Sequence, residues 1–446
     1  AAVLMNQNIL GYCGDKQMNY PALLAQDLLK KGVAEKELRD EIYCQLIKHL
    51  SSNSRAESVA KGWQLMCMCV NVFPPTFDME LYLMHYILAK AEAGKGAVVE
   101  YAKYCVRALE GTISNGDNVA GYVPNEQEIL AYKERPPILA NIFLPDGNCV
   151  TENLPIPPDV DVAKILTLCT GILDLTDTRI DALGIFVYDM GPQDEKKDYD
   201  MTQVFKGLKR TPRPLRNDDF MGSVAVQKAR QKRVFKFVIK KKIFLPKHAF
   251  RGEDPNFERL LFIQAEDEAI MEDNLLIEEA DTMAYLSALS MAVNFADDSL
   301  PSDIDSLLEQ DLLTFIAPSW RDQHTENEWG AMVLAHLQSE DIAGVDPNDL
   351  ADVFINAVSA SPLYGCHFFN VRTLSCSGSD IVRGLEKEFK FVFGHLGMSI
   401  YTTEKQLVHT FPFSDIYRWG GSSTQFSLVL ADRAKGPQAS FELVVA

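Results

Sequence analysis

The spacing of apolar residues changes three times along the 446-residue chain, and each change marks a different kind of domain. Residues 1–137 place apolar side chains at intervals of three and four, which is the period of an α-helix. Strands and one helix follow over 138–252, helices return over 253–361, and short strands fill 362–446. We therefore predict a multidomain α+β chain, in which a helical bundle precedes three further lobes.

The first block contains one stretch with a very regular apolar face, ELRDEIYCQLIKHL at residues 37–50. Leu38, Ile42, Leu46 and Leu50 recur at every fourth position, so the stretch predicts an amphipathic helix with one buried side. The sequence predicts the helices of this part of the bundle at about 35–51, 55–72, 76–91 and 97–110. Pro-Pro at 74–75 must end the helix before it, because proline cannot donate a helical hydrogen bond.

Residues 138–252 have the pattern of a hairpin, a helix and further strands. Asp146-Gly147 supplies the turn signal between the first two strands. The stretch VDVAKILTLCTGIL then places its apolar residues on one helical face, and LGIFVYDM and VFKFVIKKKIFL return to the period of a strand. This order is that of a ubiquitin-like β-grasp lobe.

The last two blocks differ in the same way. Residues 253–361 contain helical stretches, whereas 362–446 contain seven short strands separated by turn residues. The strands are HFFNV, EFKFVFG, MSIYTT, LVHTFPF, IYRWG, QFSLVL and SFELVV. Short strands at this spacing predict a small sandwich or barrel.

Charge is distributed very unevenly around the net value of −19. Residues 253–361 carry 25 acidic and 2 basic side chains, whereas 200–251 carry 15 basic and 3 acidic ones. The acidic block is interpreted as a solvated surface, as a docking face for a basic partner, or as a region that repulsion keeps away from anionic membranes.

The basic block supplies candidate contacts to anionic lipid headgroups or to acidic protein partners. Part of it can instead pair with the acidic lobe. The candidate residues are Lys209, Arg210, Arg213, Arg216, Lys228, Arg230, Lys232, Arg233, Lys240, Lys241 and Lys242. Nucleic acid is not expected as a partner, because the interleaved aromatic side chains of a single-strand binder are missing here.

No stretch carries the residues of a common catalytic or cofactor site. The sequence has no GxxxxGK[ST] phosphate loop, no HExxH or GxSxG pattern, and no calcium loop with its central glycine. The nine cysteines show no regular spacing, which favours neither a metal site nor disulfides and indicates a reducing compartment. His85, inside an apolar stretch, is interpreted as a hydrogen-bonded core residue. We expect a binding module, with no catalytic residues, no metal and no cofactor.

Three stretches of the first block, ELRDEIYCQLIKHL, KGWQLMCMCVNVFPP and LYLMHYI, closely resemble in this order the myosin tail homology 4 (MyTH4) domain. FERLLFIQAEDEAIMED and PLYGCHFFNV are similar to parts of a FERM (four-point-one, ezrin, radixin, moesin) module. The resemblance implies a MyTH4 bundle at 1–137, a ubiquitin-like lobe at 138–252, an acyl-CoA-binding-protein-like helical lobe at 253–361 and a pleckstrin-homology-like β lobe at 362–446. We expect these bodies to pack as one unit.

The resemblance also implies a function, the cargo-binding tail of an unconventional actin-based myosin, most similar to class VII. The motor ATPase would then lie outside this chain, so the chain itself is not expected to be an enzyme. Family members link the motor to adhesion receptors and scaffold proteins, and some bind microtubules or their own motor domain. The resemblance therefore implies a location in the cytoplasm, at the cytoskeleton and the cell cortex. The alternative is a membrane-apposed adapter of the ezrin or talin type, which would bind phosphoinositides through the basic first lobe.

Two smaller sets of residues complete the candidate sites. Lys30, Lys31 and Lys36 form the cationic cluster of the bundle and predict at most a weak, salt-sensitive microtubule contact. Phe426 and Leu428, on one face of a predicted edge strand at 425–430, either accept a peptide strand or pack in the core. Compared with the family, the sequence lacks the first helices of the bundle and the last helix of the third lobe. The chain also opens without an initiator Met, so we expect a fragment of a longer protein.

Overall fold

A computed structural model of the chain describes residues 1–51, 53–115, 122–176, 181–193, 211–244, 254–295, 300–377, 388–422, 425–431 and 440–445. In this part of the chain, no helix combines the length and the apolar content needed to cross a bilayer. The chain divides into two compact units. The first comprises Ala1–Phe143, Gly147–Ile172 and Ile185–Ile239, and the second comprises Leu144–Asp146, Leu173–Gly184 and Lys240–Ala446.

The first unit begins with a helical bundle, as the sequence predicts. Its described helices are α1 (Ala2–Cys13), α2 (Pro21–Ala34), α3 (Arg39–Ser51), α4 (Ala56–Val72), α5 (Phe77–Ala93), α6 (Ala97–Asn115) and α7 (Glu126–Glu134). Trp63, Met66, Cys67 and Cys105 lie in one fully buried core, and the two thiols approach to 3.5 Å between their Sγ atoms. The centre of the bundle is therefore rich in sulfur, which packs as a soft apolar filler.

The charged start of α3 closes the turn between α4 and α5. The Tyr43 hydroxyl donates a hydrogen bond to the carbonyl oxygen of Phe73 at 2.6 Å, and the Arg39 guanidinium lies 5.8 Å from the centroid of the Phe73 ring. Asp40 accepts a hydrogen bond at 2.8 Å from the backbone N–H of Thr76, the residue before α5. The motif at 37–50 thus fixes the chain where the prolines end α4.

The next segment is the predicted β-grasp lobe, with one additional helix. Its elements are β1 (Ile138–Phe143), β2 (Cys149–Ile156), α8 (Val162–Ile172), β3 (Leu183–Pro192), β4 (Thr211–Pro214), α9 (Met221–Arg230) and β5 (Arg233–Lys241). The sheet order is β2-β1-β5-β3-β4, in which β1 and β5 run parallel and the β1–β2 hairpin is antiparallel. The helix α9 was not expected from the sequence pattern.

The second unit contains the helical lobe. Its described α-helices are α10 (Pro255–Glu266), α11 (Ala280–Asn294), α12 (Ile304–Leu308), α13 (Glu326–Leu337) and α14 (Pro347–Ser359). The core forms around Trp329 and around Phe262 and Phe354, whose ring centroids lie 5.3 Å apart. Asp254 caps α10 by accepting hydrogen bonds from the first backbone N–H groups of that helix.

The third lobe is a sheet of seven short strands, as predicted. They are β6 (His367–Ser377), β7 (Glu388–Gly394), β8 (Gly397–Tyr401), β9 (Leu407–Phe411), β10 (Ile416–Gly421), β11 (Phe426–Ala431) and β12 (Ser440–Val445). Their order is β10-β11-β12-β6-β7-β8-β9, and every pair is antiparallel. Among the described strands, β9 and β10 therefore form the two edges.

Candidate interaction surfaces

The predicted basic cluster begins at Lys209 and Arg210, which lie outside the described residues. Arg213 is exposed on β4. Arg216 is also exposed, but its guanidinium lies 3.3 Å from carboxylate oxygens of both Asp218 and Asp219. Its charge is therefore largely balanced within its own loop.

Two further members of the cluster share one carboxylate. Lys228 at the end of α9 and Arg233 at the start of β5 each place a nitrogen 2.6 Å from an oxygen of Asp189 on β3. Burial raises the pKa of Asp189, but hydrogen bonds from Arg233, Lys228 and the Gly191 N–H outweigh this and hold the pKa at about 2. These two cations stabilise the lobe itself.

The lysines at the end of β5 are largely removed from solvent. Lys240 is 5 % exposed and lies 3.6 Å from Glu268, and Lys241 is 3 % exposed with its Nζ 4.6 Å from the centroid of the Phe244 ring. Lys242 is half-buried, and desolvation lowers its pKa. The structure thus corrects the expectation that Lys240 and Lys241 form part of a surface cluster.

The remaining described members, Arg230 and Lys232, are exposed near the end of α9. A lipid-facing or partner-facing role for Arg213, Arg216, Arg230 and Lys232 stays a prediction. The burial of Lys240 was not visible in the sequence, because its partner Glu268 lies 28 positions further along the chain.

The predicted microtubule cluster lies at the end of α2 and just beyond it. Lys30 donates a hydrogen bond to the Gln26 side chain at 3.1 Å, and Lys31 forms an ion pair of 3.1 Å with Glu35. Lys36 is exposed in the short turn before α3. An exposed ion pair between residues four apart, such as Lys31–Glu35, contributes little free energy, so it does not keep Lys31 from contacting another anion. The weak, salt-sensitive microtubule contact stays a prediction.

The predicted peptide-binding edge is misplaced by one strand. β11 pairs with β10 on one side and with β12 on the other, so its backbone has no open edge for an added strand. Leu428 is buried, and Phe426 is half-buried. The edge lies instead at β10, where Tyr417 and Trp419 are 68 % and 70 % exposed.

An apolar hollow adjoins this edge. It has a volume of about 410 Å³ and is lined by Phe393, Phe413, Ile416, Trp419, Phe426 and Leu428. The rings of Trp419 and Phe426 lie 6.4 Å apart between centroids. A peptide strand that adds to β10 can place an apolar side chain in the hollow, which is how strand addition gains specificity. The aromatic residues of IYRWG were the signal for this site.

Residues with metal-ligand geometry are not found within the described part of the chain. No set of three or more His, Cys, Asp or Glu side chains there could hold a metal ion. Cys67 and Cys69 lie in the apolar core, and burial raises the pKa of both thiols. His85 is exposed on α5, so its interpretation as a core residue is wrong.

Comparison with known domain families agrees with this architecture. Residues 25–131 match the MyTH4 domain, residues 252–369 match the FERM central domain, and residues 386–443 match the PTB domain of IRS-1 type. The first range lies in the helical bundle, the second covers the helical lobe, and the third lies in the seven-stranded lobe with its β10 edge.

Individual relatives match different portions of the chain. The high molecular weight form of myosin-1 of Acanthamoeba castellanii is 39 % identical over 134 residues, which is 30 % of this chain and 8 % of that protein. Kinesin-like protein KIN-14E of Arabidopsis thaliana is 24 % identical over 417 residues, which is 90 % of this chain and 31 % of that protein. The chain therefore spans less than a third of the length of either relative.

Solved structures share the fold over the full chain. The C-terminal MyTH4-FERM domain of human Myosin 7b, solved in complex with the harmonin-a PDZ3 domain, aligns with a TM-score of 0.52 at 19 % identity. The alignment covers 100 % of this chain and 84 % of that one. At this identity the likeness concerns the fold alone.

A helical bundle, a β-grasp lobe, a helical lobe and a seven-stranded β lobe in this order define the class of MyTH4-FERM proteins. This chain carries a MyTH4 domain followed by a FERM module.

Proposed function

We propose that the chain is the cargo-binding tail module of an unconventional, actin-based myosin, and that it links the motor to receptor tails or scaffold proteins. The MyTH4 and FERM domains bind and position other proteins, so the module acts by recognition and not by catalysis. The kinesin-like relative matches more of the chain, but at a lower identity than the myosin has over its 134 matched residues, which supports a myosin as the motor.

The observation that carries this proposal is the open β10 edge beside an apolar hollow in the third lobe. Backbone groups at a sheet edge give affinity for an extended peptide, and the hollow selects its side chains. The exposed rings of Tyr417 and Trp419 supply amphipathic contact area of the kind that is common in binding hot spots. A cytoplasmic tail of a receptor has the extended form that such an edge needs.

Protein scaffolds are the second partner class that we propose. The likeness to a MyTH4-FERM structure solved with a PDZ domain supports this class of partner. The cellular location that fits both partner classes is the cytoskeleton in the cytoplasm, and we place the module at the cell cortex because membrane receptors present their tails there.

The proposal is tested with the purified 446-residue chain and fluorescently labelled probes. The probes are a panel of receptor-tail peptides and a PDZ domain of the harmonin type, and fluorescence anisotropy measures their binding. We expect at least one probe to bind with micromolar or better affinity. If none binds, the assignment as a cargo-binding module is contradicted.

A variant pair locates the peptide site. Trp419→Ser removes the exposed ring at β10 and is expected to weaken peptide binding about tenfold or more, as loss of a hot spot does. Leu396→Ser, at a turn residue of similar exposure between β7 and β8, is the matched control and should leave binding unchanged. Equal effects of the two variants would exclude the β10 edge while leaving the cargo-binding function standing.

A further inference from the structure

The helix α5 buries very little of its surface for a helix in a bundle. Both α4 and α5 have 17 residues, but α4 buries ten of them whereas α5 buries only Leu83 and Ile87. A helix of a globular protein usually directs its apolar stripe towards the core. In α5, a second apolar stripe lies outside the buried face and is largely exposed, and only its residue Met84 packs partly against the core.

The outward stripe has the spacing of a helix-packing seam. Phe77, Leu81, Met84 and Leu88 follow one another at intervals of four, three and four residues, which places them in one line along the helix. Phe77 is 88 % exposed, Leu81 78 % and Leu88 40 %, and Met84 is half-buried. A line of this kind fits the apolar face of another helix.

The charges beside the seam are acidic. Asp78, Glu80 and Glu92 flank it along α5. The cation of this helix, Lys90, lies 5.6 Å from the centroid of the Tyr86 ring, on the opposite side from the seam. Charges at such flanking positions select the partner of a helix pair by attraction or repulsion.

We propose that the α5 seam, formed by Phe77, Leu81, Met84 and Leu88, binds an amphipathic helix of a partner protein whose own apolar stripe is flanked by lysine or arginine. The basic flanks of that helix meet Asp78, Glu80 and Glu92. This makes the MyTH4 bundle a docking surface for a second partner, separate from the peptide edge of the third lobe.

The same charges disfavour the other candidates for this face. In an antiparallel pair of two copies, like flanking positions meet, so Asp78 of one copy lies opposite Glu92 of the other. In a parallel pair, neither of these carboxylates gains a cation. An anionic membrane would be repelled by the same three carboxylates. A basic helix is the occupant for which both the apolar and the charged parts of the surface are complementary.

The size of the seam indicates a transient contact. A buried aromatic ring contributes roughly 150–250 Å² to an interface, and the seam offers one such ring, Phe77, together with Leu81, Leu88 and the half-buried Met84. This lies below the roughly 800 Å² per partner of a stable complex. We therefore expect micromolar affinity.

The first test uses two synthetic, fluorescently labelled 18-residue peptides. Both carry leucine at the seam positions, and one carries lysine and the other glutamate at the flanking positions. With the 446-residue chain, fluorescence anisotropy should show the lysine peptide binding about tenfold or more tighter than the glutamate peptide at low salt. Equal affinities, or no binding of the lysine peptide, would overturn the proposal.

Substitutions on α5 then locate the site. The double variant Phe77→Ser/Leu81→Ser should weaken the lysine peptide about tenfold or more, because it removes the two most exposed seam residues. Val3→Ser on α1 changes an apolar residue of similar exposure in the same bundle and should change nothing. Circular dichroism checks that each variant is folded, as expected for exposed positions. An equal response of the two variants contradicts the proposal.

A charge reversal separates the proposed partner from the alternatives. Asp78→Lys/Glu92→Lys should weaken the lysine peptide and strengthen the glutamate peptide, which a merely sticky apolar surface would not do. If sedimentation instead shows a dimer lost in Phe77→Ser/Leu81→Ser, or if vesicles of phosphatidylcholine and phosphatidylserine bind through these residues, the seam has another occupant and the proposal fails. Trp419→Ser should not affect either peptide, so this result is independent of the β10 site.

Discussion

Single carboxylates decide which cations of the basic segment are available for binding. The sequence showed a dense run of lysine and arginine, and a run of this kind usually faces solvent. In the structure Asp189 holds Lys228 and Arg233, and Glu268 lies beside Lys240. Asp189 precedes its partners by about 40 positions and Glu268 follows its partner by 28, so no local pattern could have revealed the pairs.

Removal of Lys240 should destabilise the second unit. In Lys240→Met, Glu268 stays buried beside the neutral Gln264 amide but loses the nearest cation, and breaking a buried ion pair in this way costs about 3–5 kcal/mol. Urea denaturation of the purified chain measures the loss. Because an uncompensated charge is the cause, Lys240→Met/Glu268→Gln should recover part of the stability, whereas Arg230→Met on the surface should have little effect.

Asp189 should make the first unit sensitive to acid. Its pKa in the folded chain, about 2, lies below the ordinary value of about 4 for aspartate. The stabilisation is therefore complete above about pH 4 and is lost as the pH falls towards 2. In Asp189→Asn, the dependence of unfolding free energy on pH between about 4 and 2 should be shallower than in the parent chain. An unchanged slope would show that the carboxylate does not depend on Lys228 and Arg233.

At the scale of elements, helices were better predicted than sheet order. The stretch at 37–50, the break at 73–75 and the following helix follow from local period and proline chemistry. The role of this motif could not be predicted from the sequence, because Tyr43 and Asp40 form hydrogen bonds with Phe73 and Thr76, which lie 30 and 36 positions further along the chain. Likewise the seven strands of the third lobe were recognisable one by one. The exposed edge at β10 follows only from how distant strands pair.

Asp40 is expected to stabilise the start of α5. Asp40→Ala removes the acceptor for both the backbone N–H and the hydroxyl of Thr76, and losing a helix cap costs about 1 kcal/mol. Thermal unfolding followed by circular dichroism measures the change. Glu37→Ala, at an exposed position in the same stretch, is the control. A larger loss in the control would contradict a capping role for Asp40.

At the scale of the whole molecule, the second unit joins its helical lobe to its β lobe through a polar contact. Lys405, between β8 and β9, places its Nζ 2.7 Å from Asp273, and Ser319 donates two hydrogen bonds of 3.0 Å to the same carboxylate. Asp273 and Lys405 are both largely buried. The carboxylate of Asp273, in the acidic helical lobe, therefore forms an ion pair with Lys405 of the third lobe.

Loss of this contact should make the two lobes unfold less cooperatively. Lys405→Met removes the cation from Asp273, and we expect differential scanning calorimetry to show a broader or divided transition with a lower first midpoint. Lys390→Met, on β7 of the same lobe, is the comparison. A single sharp transition at the parent temperature would show that Lys405 does not couple the lobes.

The sulfur-rich centre of the bundle gives the molecule a built-in reporter of its own opening. Cys13, Cys67, Cys69 and Cys105 are enclosed there, whereas Cys44 and Cys149 are open to solvent. Enclosure also raises the pKa of the Cys13 thiol to about 12, so the reactive thiolate is scarce even when a reagent arrives. A thiol-alkylating reagent should therefore modify the exposed Cys44 and Cys149 at once. It should modify the four enclosed cysteines only at the rate at which the bundle opens.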